Sequence, residues 1–456
     1  MSNSVIDSRM KGPAALDHYR RLFAGRAGGG DALTTLRRNS LESFLATGFP
    51  TQRDEAWKYT NLRRLEARSF ALAEAVPVAA DNGRWIPDCG HRIVLINGRV
   101  LPTLSTPAPQ PPGVTILSLA QWIQHSPGEV AEFLSKQEVS TAGATAGPFD
   151  HLNSAFSDDG IVIDIAAGVT LDQPLYIVHH WGATRSPQMA HPRIILRAGR
   201  QSHCSVITHY TGDDTAESLT NSRITFDVGA GAHVEHLRLQ EEGARSFHIG
   251  STQVSLAKDA RFTSHDFALG ASLGRSSTVV QLVESGASVS LSGMFAPTGT
   301  QHLDTYIRVE HAAAHTQSFQ DYRGIAAGRG RGVFNGKVIV RPGAQKTDAR
   351  QSNRNLLLSA TAEIDSRPEL EIYAHDVKCS HGATTGQLDP VSLFYLRSRG
   401  LGEAQARALL IRAFAQSMLA TVKVGPVRTW LEERVQQRFD LSASGIPGSE
   451  HPQRVP

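Results

Sequence analysis

Cysteine is scarce in this chain. Only Cys89, Cys204 and Cys379 occur in 456 residues, far apart and with no C-x-x-C pair, so a disulfide framework is excluded. A cluster held by about four thiolates of one chain is excluded too. Any such cluster needs other ligand types or a second chain. Long apolar runs are also missing. No stretch approaches the roughly 18 residues of a membrane span, so no membrane insertion is expected. The first residues, MSNSVIDSRMKGPAALDHYRRLF, hold no apolar core of a secretory signal, which makes a cytoplasmic location the expectation. Charge of one sign is lacking as well. The net charge of +3 is spread along the chain, without the clustered basic stripe of a nucleic-acid surface.

Catalytic motifs fail when their spacing is checked. Gly336-Lys337 resembles the end of a phosphate loop, but Arg331 stands where the earlier glycine belongs and Val338 where Ser or Thr would bind magnesium. GASLG, Gly270 to Gly274, matches a nucleophile elbow, yet strand-like sequence flanks it on both sides rather than strand then helix. His311 and His315 lack the glutamate of a zinc-binding HExxH helix. They read as surface or turn histidines, as do His233 and His236. Cys89 and Cys204 read as small buried or half-buried hydrophobes.

What is present is a change of texture. Residues 1–155 are helical and irregular. Leu33, Leu36, Leu41, Phe44 and Leu45 have helical spacing, RIVLING is a short strand, and LAQWIQHSPGEVAEFLSK is amphipathic. From about Ile161 short alternating runs take over. A small-residue turn precedes each strand, at Ala167-Gly168, Ala198-Gly199, Gly231-Ala232, Asp259-Ala260, Gly286-Ala287, Ala313-Ala314 and Gly343-Ala344. Steps of about 27 to 32 residues lie in the range of solenoid arrays, and no helix-length segment separates the strands. The expected fold is mainly β, with a parallel β-helix over residues 156–388 between helical regions. Helical periodicity returns over 389–440. Asp389 is a natural N-cap with Pro390 at the first helical position, and Gly400 suits the stop. Leu409, Leu410, Ala413, Phe414 and Met418 outline the next helix, and Leu431 and Val435 a third. Residues 441–456 read as a disordered tail.

The densest chemistry lies in PELEIYAHDVKCSHGATTGQLD. Side chains two apart in a strand share a face, about 6.5 Å apart, so Cys379 and His381 point the same way. Thiolate and imidazole both suit iron or zinc, but two ligands are half a tetrahedral site. Spacing alone favours the plainer reading, a core thiol beside an exposed or capping imidazole. If the thiol is reactive, Lys378 and Asp376 pull its pKa in opposite directions.

Longer stretches carry a resemblance. HLDTYIRVEHAAAHTQSFQDYRGI, GRGRGVFNGKVIV, GAQKTDARQSNRNLLLS, AEIDSRPELEIYAHDVKCSHGATTGQLD and LFYLRSRG, with FPTQRDEAWKYTNL near the start, resemble the SufD branch of the SufB/SufD family of SUF iron–sulfur cluster assembly proteins. The resemblance spans most of the chain and is strongest from His302 to Gly400. His375 departs from it, standing where many relatives are acidic. The resemblance implies a right-handed parallel β-helix between N-terminal and C-terminal helical domains. It implies a non-enzymatic scaffold that pairs with SufB through the β-helix end and docks the SufC ATPase on its C-terminal helices. The residues implied for that docking are Phe394, Tyr395, Leu396, Arg399, Gly400, Leu409 and Phe414. His381 and Cys379 would offer ligands to iron or a nascent cluster, with the remaining ligands from SufB. The chain would hold no tight cofactor of its own, and ATP would enter only through SufC. A cysteine desulfurase system is an indirect partner, and the isolated chain is a candidate for homodimer formation. Two other readings stay open: a SufB-like subunit that holds the cluster itself, and a β-helix enzyme using the Cys379–His381 pair. The second lacks a readable third orienting residue or oxyanion hole.

Overall fold

The computed structural model describes residues 13–25, 32–74, 83–106, 110–138, 146–184 and 186–439. The tail expected over 441–456 lies outside them, as do the first twelve residues. The core is a parallel β-solenoid made of two facing sheets. Consecutive strands alternate between the sheets, and each pairs in parallel with the strand one coil away. Leu219 is thus in register with Phe247 and Arg331 with Glu363. On the facing sheet His233 pairs with Arg261 and Asp348 with Lys378.

The alternation of the sequence explains the interior. Inward positions stack coil upon coil into ladders. One runs Ile163, Leu196, Phe226, Val254, Val280, Val309, Val338, all buried. Each such side chain contributes about 1.5–3 kcal/mol on leaving water. The facing sheet supplies Cys204, Val234, Phe262, Val289, Ser318, Ala349 and finally Cys379. Cys204 is fully buried, and burial pushes its thiol up to about 12. Cys89 behaves in the same way. Both fit the expectation of small hydrophobes.

The histidines need a correction. His311 and His236 face the interior rather than solvent. The His311 ring nitrogens lie 2.8 Å from the hydroxyls of Thr316 and Ser318, and burial lowers its pKa to about 4. His236 is lowered to about 3 for the same reason. His236 meets the Thr208 hydroxyl of the neighbouring coil at 3.0 Å and His311 meets hydroxyls of the turn and strand that follow it, which a count of histidine pairs along the chain does not show. His315 does sit in a turn, with φ +59°.

The N-terminal region caps the start of the solenoid. Strand His91–Ile96 pairs in parallel with Leu175–Trp181, and Val114–Ser118 closes the other sheet antiparallel to Gly160–Ile165. The amphipathic stretch is two helices, Leu119–His125 and Pro127–Glu138, because proline cannot continue the first one. They cover Val162 and Ile195. An aromatic cluster of Tyr19, Phe44, Phe49 and Phe156 belongs to a layer packed on Leu219, Phe247 and Leu273 of the outer sheet face. The segment containing EAWKYT fastens to the same face. The Arg275 guanidinium lies 3.9 Å over the Trp57 ring, Thr60 donates to Asp304, and Glu55 meets Arg367 at 2.7 Å.

Three helices, Pro390–Ser398, Glu403–Leu419 and Gly425–Arg438, follow the last strand. The Asp389 carboxylate caps the first by accepting from the Val391 and Ser392 amides. Gly400, at φ +92°, ends that segment in a conformation that costs other residues strain. The other two lie on the outer face of one sheet, where Ile411, Ala415, Met418, Leu431 and Val435 join a layer with Leu237, Phe267 and Met294. The middle helix is rotated relative to the face outlined by sequence. It buries Ala406, Ala408 and Ile411, while Leu409 stays exposed. Both of its faces carry apolar residues, so docking rather than periodicity selects the buried one. Among the described residues no helix is long and apolar enough to cross a membrane.

Candidate functional site

Among the described residues no further strand covers the last coil of the solenoid. Strand Glu363–Ile372 terminates one sheet and Lys378–Gly386 the other. Every residue of Lys378–Gly386 is exposed except half-buried Cys379. A terminal strand of this kind offers unpaired backbone groups to any chain that can extend the sheet. Pro368, at an inward position of Glu363–Ile372, is tolerated because an edge strand can lack one backbone donor.

This rung places the two singled-out residues. Cys379 is in register with Ala349 and His381 with Gln351. Both partners are buried inward positions, so the Cys379 and His381 positions continue interior ladders to the open mouth. The period-two expectation therefore holds, and the shared face is the inward face of the final coil. Cys379 packs against the edge of the core with Leu370 and Val377. Burial raises its pKa, a backbone hydrogen bond with Ala349 partly offsets this, and the Asp348 carboxylate adds to the rise. These are not the neighbours expected from adjacency. Asp376 is ion-paired with Lys346, and the acid that acts on Cys379 is Asp348 of the preceding coil, itself paired with Arg350. His381 is exposed at the mouth.

Two donors cannot complete a tetrahedral site, and no group of three or more His, Cys, Asp or Glu suited to a metal occurs among the described residues. The arrangement is two donors on the inward face of the final coil, at the open mouth. His375 is exposed in the preceding turn. Sequence reasoning missed Asp348 and Gln351. The signal was available in the repeat: counting one coil back from Cys379 and His381 leads to Ala349 and Gln351.

The second exposed feature follows at once. On helix Pro390–Ser398, Val391 and Phe394 are each 73% exposed and Tyr395 is 55% exposed. Arg399 stacks over the Tyr395 ring, 5.2 Å from its centroid. Leu396 is half-buried, Gly400 is exposed and Leu409 is partly open to solvent. Phe414 turns the other way. It packs on the solenoid, its ring under the Arg323 guanidinium and its carbonyl accepting from Arg323 Nη1. The exposed apolar side chains are thus Val391, Phe394 and Tyr395, which form a ridge on the short helix, and Leu409 on the helix that follows.

Comparison with known proteins identifies the family of the chain. Residues 180–414 match the SufBD core domain of the SUF system for FeS cluster assembly, and residues 26–177 match the SufBD protein N-terminal region. The chain is 32% identical over 429 residues to the iron–sulfur cluster assembly protein SufD of Escherichia coli, covering 93% of this chain and 97% of that protein. It is also 32% identical over 424 residues to an iron–sulfur cluster assembly SufBD family protein of Synechocystis, covering 91% and 90%. A more distant relative is the chloroplastic protein ABCI7 of Arabidopsis thaliana, 26% identical over 398 residues. A solenoid with an open mouth, carrying the SufBD core signature and near full-length likeness to SufD, places this chain in the SufBD family of iron–sulfur cluster assembly proteins, on its SufD-like side.

Proposed function

We propose that this chain is a non-catalytic subunit of an iron–sulfur cluster assembly complex. It pairs its open solenoid end with a SufB-like subunit and presents the ridge on Pro390–Ser398 to a SufC-like ATPase. Cys379 and His381 supply part of the ligand set for iron or a nascent cluster, and the partner supplies the rest. The observation that carries this reading is the uncapped final coil, which puts an imidazole and a thiol on the rim of an unpaired sheet edge. Both donors suit iron. The raised thiol pKa means that binding must displace a proton, which suits transient holding over tight storage by this chain alone. The same raised thiol counts against a Cys–His hydrolase, whose nucleophile needs a lowered pKa or an adjacent base. A cytoplasmic setting, with sulfur supplied by a cysteine desulfurase system, belongs to this reading.

The test is co-expression with the SufB-like and ATPase proteins of the same organism, followed by affinity purification. His381→Ala is expected to co-purify the same partners and to lose cluster content by about tenfold or more, read as iron and acid-labile sulfide. Full cluster content in the variant would remove His381 from the site. Failure of the wild type to capture either partner would remove the scaffold reading.

A further inference from the structure

The inward ladder that ends at His381 becomes polar two coils earlier. In register it runs Leu291, Gln320, Gln351, His381. Gln320 and Gln351 are 3% and 4% exposed. The Gln351 Nε2 donates to Gln320 Oε1 at 2.8 Å. An amide that gives its N–H to the coil behind presents its carbonyl to the coil ahead, as in glutamine ladders of stacked strands. That carbonyl oxygen, Gln351 Oε1, is buried and has no hydrogen-bond partner within the chain. Leaving such an acceptor unpaired is costly, and the next side chain on its ladder is His381. The facing sheet makes room for this amide. A Cβ on Gly336 would lie 1.9 Å from Gln351 Nε2, so any side chain there displaces it.

We propose that Gln351 is the positioning residue for His381. When the exposed His381 ring turns towards the interior of the mouth, this carbonyl accepts its N–H, which sets the tautomer and leaves the lone pair of the other ring nitrogen facing outward. Gln320 holds the amide in the orientation that makes this possible. The proposal rests on the reading of His381 as an iron ligand and adds what aims it. Ligating histidines commonly give their second N–H to a carbonyl or carboxylate, and removing that partner costs about 10–100-fold in metal affinity. A solvent-exposed imidazole without such a partner exchanges between two tautomers, and only one directs its lone pair at the metal.

The experiment uses the full chain, alone and co-purified with its SufB-like and ATPase partners. Gln351→Leu removes the acceptor, Gln351→Glu keeps an oxygen in its place, and His381→Ala is the control. Ferrous iron is titrated into the complex. The tautomer of His381 is read by nitrogen-15 NMR of the isolated, metal-free chain. Gln351→Leu is expected to weaken ferrous iron binding by about 10–100-fold with partner recovery intact. It should also convert the His381 signal from one dominant tautomer to a mixture, and Gln351→Glu should restore both readouts. If Gln351→Leu does not fold, Gly336→Ala displaces the same amide while keeping the glutamine and should give the same two changes. Wild-type iron binding and a wild-type tautomer in the folded variants, with iron lost in His381→Ala, would overturn the positioning role and leave the ligand role standing. Iron retained in His381→Ala would overturn both.

Discussion

The two ends of the solenoid are built on opposite plans. At the start, antiparallel strand Val114–Ser118 covers Gly160–Ile165, and helices Leu119–His125 and Pro127–Glu138 cover that sheet from outside. Gly160–Ile165 is buried at every position but one. At the finish, Lys378–Gly386 has one strand neighbour and is exposed almost throughout. Stacked repeats need atypical terminal units to stop further association, and this chain spends such a unit on one end only. The bare end also carries the chemically versatile side chains. A parallel edge left open in a protein that caps its other edge so thoroughly is what the proposed pairing uses.

The comparison can be broken most forcefully through core packing. Leu95 is fully buried on His91–Ile96 at the capped end, and Leu95→Ala should cost about 3 kcal/mol. Leu370 occupies a half-buried inward position on the last coil, and Leu370→Ala should cost about 1 kcal/mol in the isolated chain because solvent already reaches it. Urea unfolding of the two variants checks this, and equal losses would mean that the finish is as closed as the start.

Acid tests the closed interior against the open rim. The His311 pKa falls from 6.5 to about 4 in the folded chain, so the unfolded chain binds the proton first. Stability from the neutral imidazole is complete above pH 6.5 and is lost as pH drops towards 4, by up to about 3 kcal/mol. His311→Gln, which keeps a hydrogen-bonding side chain but cannot titrate, should flatten the stability profile over that window. An unchanged slope would mean that this imidazole is not held neutral by the interior.

The smallest effect on stability belongs to the exposed ridge. Phe394→Ala should shift unfolding by less than about 0.5 kcal/mol, as surface substitutions do, while recovery of the ATPase partner drops sharply in a pull-down. A large loss of stability would show that the ridge packs within the chain. Normal recovery would move ATPase docking elsewhere.

Much of this was legible along the chain. Alternating runs from Ile161 onward specify strands because a period of two can bury one face only in a sheet, and the turn repeated every coil specifies their parallel stacking. Asp389, Pro390 and Gly400 mark their helix through local backbone chemistry, which needs no distant contact. Cys379 and His381 share a face for the same local reason. Which way that face points was not local. It depends on the pairing of Lys378–Gly386 with Asp348–Leu357, a contact one coil apart. The rotated helix at Glu403–Leu419 was illegible because both of its faces are apolar and only docking chooses between them. His236 and His311 were misjudged because the hydroxyls that satisfy them come from other strands and from a turn.

The sequence by itself determined the class of structure, the positions of its turns and caps, and the shared face of Cys379 and His381, because these follow from side-chain period and backbone preference. Tertiary structure alone decided that one end is closed and the other open, that Ala349 and Gln351 stand behind Cys379 and His381, and which helix face is left exposed. Those outcomes depend on register between strands some thirty residues apart, and register is set by the stacking of whole coils.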